Sequence, residues 1–333
     1  MKLRRNRSTR RGIELLEARE CPAVVITAGN NANLKITGSS PNLVVNQEGA
    51  TSFRVIDNGT DRGVYSTSLD LVISMAGGSD ILTLDLNGFT TPRDVRITTG
   101  AGSNNVTIRE GTVNRDLAIT GAGGADAITL GNATDAMKVN GTFAVKLAAG
   151  VDSLTVRDLT TLQGNVTVSG ANTVAFQQGS EALRDVTINS DSKGAAITLA
   201  GSIKRDMKWS GTRTGALESL TLTSTGSVGR DLVILSDGVG QGNGGKDTLS
   251  LGGQVGGDLR VDTSGGIDTV TLGATLDVGA LIDIKLGKGN DTLVHAVTVD
   301  PGHIGTLNGG AGQDTLTQTT AVPSLVTRTA FEL

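Results

Sequence analysis

The chain has 333 residues and a formal net charge of −4, enough for one long repeat domain or two ordinary ones. Its 47 glycines against 5 prolines, with aromatic residues at only 2%, argue against the aromatic-rich core of a conventional enzyme and describe short strands joined by glycine turns. One cysteine excludes an intrachain disulfide and a cysteine-based metal site; the acidic balance argues against nucleic acid as the main partner, and no window approaches the roughly 18 apolar residues of a membrane span.

Residues 1–22 differ from the rest. Lys2, Arg4, Arg5, Arg7, Arg10 and Arg11 are followed by Ile13, Leu15 and Leu16 interleaved with Glu14, Glu17 and Glu20. This pattern predicts a basic arm leading into a short amphipathic helix that ends at Pro22. The run of about 7 to 15 apolar residues that a secretory signal needs is missing. The segment from Arg10 to Arg19, with Glu14-Leu15-Leu16-Glu17 at its centre and Pro22-Ala23 behind it, nevertheless resembles the Arg-rich, Leu-Glu-containing leaders of large surface proteins of planctomycete-type bacteria. The resemblance implies export to the cell envelope. On charge alone, a tail that binds nucleic acid is the competing reading. Cys21 follows Ala18-Arg19-Glu20, which is not the small-residue context of a lipid-attached cysteine.

Residues 23–66 hold strand-like stretches at Val24–Ile26, Leu34–Ile36, Leu43–Val45 and Phe53–Ile56, outside the register of the later strands, and are expected to cap a stack. From residue 67 to 318 a repeat takes over. One strand type alternates polar and apolar: Asp70-Leu71-Val72-Ile73, Asp94-Val95-Arg96-Ile97 and Asp116-Leu117-Ala118-Ile119 begin a series that runs to Leu281-Ile282-Asp283-Ile284. A second follows each glycine turn, as at Ile81–Leu84, Ile128–Leu130, Ile197–Leu199 and Val270–Leu272. Alternation at period two marks half-buried strands. The recurrence predicts a single-stranded parallel β-helix, an all-β solenoid of about eleven coils of roughly 23 residues. Two strands per coil are expected, with room for a third short face in the variable loops. Residues 319–333, with Pro323 and Phe331, are expected to cover the far end; uncapped ends would invite end-to-end self-association.

The turns carry the chemistry. Gly309-Gly310-Ala311-Gly312-Gln313-Asp314-Thr315-Leu316-Thr317 matches the calcium-binding nonapeptide of RTX proteins at every fixed position. Partial copies end in Asp247, Asp268 and Asp291, and Gly77-Gly78-Ser79-Asp80 and Gly123-Gly124-Ala125-Asp126 repeat the theme near the front. Asn172, Ala195 and Glu218 take the Asp position in the middle coils. The resemblance implies an RTX-like protein that binds calcium through Asp80, Asp126, Asp247, Asp268, Asp291 and Asp314. If equivalent turns stack, carboxylates about 5 Å apart repel by about 1 kcal/mol per pair even in water, which calcium would relieve. Alternatively each Asp caps its own turn and faces solvent.

Arg93-Asp94, Arg115-Asp116, Arg184-Asp185, Arg205-Asp206 and Arg230-Asp231 are expected to form parallel rows whose charges offset one another. The leading functional expectation is a non-catalytic extracellular or cell-surface protein of a bacterium, a spacer, adhesin or coat component whose partners are envelope or matrix components. A polysaccharide-active β-helix, lyase or hydrolase, is the alternative, but such enzymes use clustered carboxylates beside an aromatic groove, and Phe53, Tyr65, Phe89, Phe143, Phe176, Trp209 and Phe331 are scattered. His295 on a strand and His303 in a Pro-Gly turn read as structural.

Overall fold

The computed structural model describes residues 24–29, 32–191, 194–211, 217–236, 245–297, 305–318 and 326–332. The N-terminal leader with Cys21, the turn residues Gly242, Asn243 and Gly244, His303 and Pro323 lie outside the described residues. Within them the chain is all-β, without a helix, and forms a solenoid of about ten parallel turns of about 23 residues; no helix there is long and apolar enough to cross a membrane.

One coil shows how the sequence builds the rest. Ala127–Leu130 lies in sheet B, Met137–Val139 in sheet C and Phe143–Lys146 in sheet A, before Ser153–Val156 returns to sheet B one level on. Ile128, Leu130, Met137, Val139, Phe143 and Val145 all point inward and are at most 1% exposed. The Thr and Lys residues between them face out, because successive side chains of a strand leave opposite faces. Each strand pairs with its counterparts in the coils before and after, so backbone groups are satisfied along the stack. In sheet A, Leu117 pairs with Phe143, Phe143 with Val166 and Val166 with Val186, and the register continues without a slip through Met207, Leu232, Leu259 and Ile282. Like residues therefore stack on like, and one continuous core runs the length of the stack.

Sheets A and B have 14 strands each and sheet C has 8. Sheet C is the third face. Its later strands are two residues long, as in Glu181–Ala182, Ser202–Ile203 and Ser227–Val228, and contribute one inward side chain apiece.

At the N-terminal end, Leu34–Gly38 and Leu43–Gln47 pair in parallel with Leu71–Met75 and Ile81–Asp85, so these two strands, which the sequence places in an irregular cap, are already the first coil. The hairpin Ser52–Asp57/Thr60–Ser66 lies within that coil and stretches its spacing, which hides it from the repeat. The hairpin adds antiparallel to Leu43–Gln47, and Val25–Thr27 adds antiparallel to Leu34–Gly38. Phe53 and Val55 of the hairpin are fully buried and close this end of the core. At the other end Thr315–Gln318 and Val326–Thr329 continue sheets B and A in parallel.

Candidate functional site

The glycine-aspartate turns sit where each coil enters sheet B. Here the backbones of successive coils approach so closely that a Cβ on Gly289, which has φ +147°, would lie 1.5 Å from the carbonyl oxygen of Gly266, and one on Gly312 would lie 1.5 Å from that of Gly289. Only glycine fits such a contact. The turn then delivers the following Asp into the body of the coil. Asp80, Asp126, Asp247, Asp268, Asp291 and Asp314 are each at most 2% exposed. The six predicted ligands thus share one column, but none faces solvent.

Each caps its neighbour instead. Oδ1 of Asp268 accepts the amide N–H of Asp247 at 2.9 Å, Asp291 that of Asp268 at 2.8 Å, and Asp314 that of Asp291 at 3.0 Å. Asp247 likewise accepts from Glu218 at 3.2 Å. In the front half Asp80 accepts from Ser40, Asn104 from Asp80, Asp126 from Asn104, Asp152 from Asp126, and Asn172 from Asp152, over 2.8–3.1 Å. Asn104 and Asp152 complete the column and escape the glycine-aspartate motif; a looser pattern, Gly-x-Asx, contains both. The column lapses at Ala195, whose methyl group offers no acceptor, and there the Asn172 amide donates to the Asp152 carbonyl oxygen at 2.9 Å.

Burial pushes the Asp291 carboxyl up to about 6; the hydrogen bond from the Asp268 amide opposes this, and the charges of Asp268 and Asp314 add to it. Oδ2 of Asp291 and of Asp314 is buried without a hydrogen-bond donor among the described residues. Calcium takes about six to eight oxygens. Here each carboxylate is turned into the coil with one oxygen committed to an amide, and no three His, Cys, Asp or Glu side chains converge on a metal position among the described residues. Asn104 and Asn172 make the same hydrogen bond at 3.1 and 2.9 Å with no charge. The donor set fits an internal hydrogen-bonded ladder better than a row of cations.

A second column runs along the corner between sheets C and A with the opposite polarity. Asp185 accepts the amide of Asp206 at 3.4 Å, Asp206 that of Asp231 at 3.2 Å, and Asp231 that of Asp258 at 2.9 Å, so here the acceptor belongs to the earlier coil. This column carries its own counter-charges, as expected from the Arg-Asp pairs. Arg93 lies 3.6 Å from Asp70, Arg115 3.5 Å from Asp94, Arg205 3.1 Å from Asp185 and Arg230 3.4 Å from Asp206. Each arginine thus bonds the aspartate one coil back rather than its own sequence neighbour.

His295 points inward and is 1% exposed; burial holds its imidazole below the ordinary value, and the Arg328 charge acts the same way. Trp209 is fully buried and donates from Nε1 to the Ser190 hydroxyl at 2.8 Å. A cleft of about 440 Å³ lies beside the lapse at Ala195, lined by Asn172, Leu217, Glu218 and Lys246. Compared with protein-family profiles, curated protein sequences and solved structures, the chain matches none.

Proposed function

We propose that this chain is a non-catalytic structural rod of a bacterial cell surface, a spacer or coat element that holds its flanks at fixed intervals. The observation that supports the reading best is the unbroken parallel register of sheet A from Leu34 to Ile282 and beyond. A stack in which every coil repeats the same inward residues gives length and stiffness, and leaves an outer surface of Thr, Ser, Lys and Arg for contact with envelope or matrix components. The Arg-rich leader supports the location. Surface biotinylation and protease shaving of intact native cells test it: the rod is expected in the labelled, shaved fraction, and recovery solely from the soluble interior after lysis would overturn the proposal.

A further inference from the structure

The Arg-Asp column has one irregularity. Each arginine at this corner finds its carboxylate one coil back, yet the residue one coil behind Asp185 is Asn165, and the coil before that carries Thr142. Arg184 therefore lacks the partner that Arg205 and Arg230 have, is exposed, and makes no ion pair among the described residues. The two coils behind it place Gly141 and Gly164 where the later coils place arginines, which leaves an open cleft of about 450 Å³ lined by Asn140, Gln163, Gly164, Leu183, Arg184 and Arg205. No acidic side chain lines it. Arg205 lines the cleft as well and binds Asp185 through Nε at 3.1 Å, which leaves the other nitrogens of its guanidinium as further donors.

Two guanidinium groups and two carboxamides around one cleft make an oxyanion site with room for hydroxyl groups. Beside the cleft, the outer face of sheet C carries Thr161, Glu181, Ser202, Ser227, Gln254 and Asp277 in one outward column, and a second cleft of about 270 Å³ lies along its later coils, with Asp277 at its far end. The charge of Glu181 in that column is met by Lys204 at 2.8 Å. Polar groups about 4.8 Å apart match the rise of one sugar ring in an extended glycan, and the two guanidinium groups of the 450 Å³ cleft, whose lining holds no carboxylate, select an anionic one. We infer that Arg184, released by Asn165, binds the carboxylate of a uronate-containing oligosaccharide lying along the outer face of sheet C.

Calorimetry on the full chain at low salt tests this wherever in the cell the protein resides. Trigalacturonate is expected to bind, with galactotriose and free galacturonate at least about tenfold weaker. Arg184→Ala is expected to lose at least about tenfold. Asn165→Asp supplies the missing carboxylate, engages Arg184 as Asp185 engages Arg205, and is expected to weaken binding to a similar degree with an unchanged melting curve. Binding by both variants at the parent level, equal binding of galactotriose, or equal binding of a triglutamate peptide would overturn the assignment.

Discussion

Asp291 shows at the residue scale what a buried ladder costs and what it supplies. Its Oδ1 accepts the Asp268 amide at 2.8 Å, while burial and the two neighbouring carboxylates raise its pKa from 3.8 to about 6. A group whose folded pKa is raised contributes stability that is full below its unfolded value, near 4, and is lost as pH rises through 6. Above pH 6 the coil must therefore hold a charge that it disfavours by an amount on the order of 1–3 kcal/mol. Asp291→Asn keeps the acceptor, as Asn104 and Asn172 do, and removes the charge. It is expected to raise stability by that amount at pH 8 and to leave it unchanged at pH 4, measured by denaturant unfolding at each pH; a variant less stable than its parent at pH 8 would sink the argument. The comparison must be with the variant rather than across pH alone, because His295 acts in the opposite direction: its pKa is lowered by burial, so its share of stability is present above its ordinary value of 6.5 and lost as pH falls.

At the scale of elements, sheets A and B were legible because a four-residue strand such as Val166–Ser169 carries two inward residues and shows its alternation. Sheet C was legible only as room for a third short face in the loops, since Glu181–Ala182 has one inward residue and no period to read. The first coil was hidden by the hairpin Ser52–Ser66 inserted between its partners. The Asp column was legible in position but not in direction: spacing says that Asp247, Asp268, Asp291 and Asp314 are equivalent, whereas the side-chain orientation depends on glycine contacts to a coil some 23 residues away. That orientation bears on calcium. A ladder that works equally with Asn and Asp depends on hydrogen bonds, and each is worth on the order of 1 kcal/mol. Dialysis against EGTA followed by millimolar calcium is accordingly expected to shift the melting temperature at pH 7.5 by no more than about 2 °C. A rise well beyond this would return the column to the calcium role that the nonapeptide resemblance implies.

On the scale of the whole molecule, the two columns lapse in different places. The sheet B column breaks at Ala195, where the corner column is continuous from Asp185 through Asp206 to Asp231. The corner column breaks at Thr142 and Asn165, where the sheet B column runs unbroken from Asp126 through Asp152 to Asn172. Each pair of neighbouring coils is thus stapled by at least one side-chain ladder in this central region. In such a stack each coil contacts only its neighbours, so stability is a sum of local terms and a defect is felt most beside itself. The ends then matter most, and they differ. Phe53 and Val55 seal the first coil with no exposure, while Thr315, Thr317 and Gln318 of the last sheet B strand are exposed and Leu316 is only half-buried. Phe53→Ala removes the largest side chain of the seal at a cost of about 3–5 kcal/mol. Hydrogen exchange is expected to accelerate in Leu43–Gln47 and Ile81–Asp85 and to remain at the parent rate in Thr269–Leu272 and Ile282–Lys285. If protection fell equally along the whole chain, the rod would be unfolding as a single unit and the nearest-neighbour account would fail.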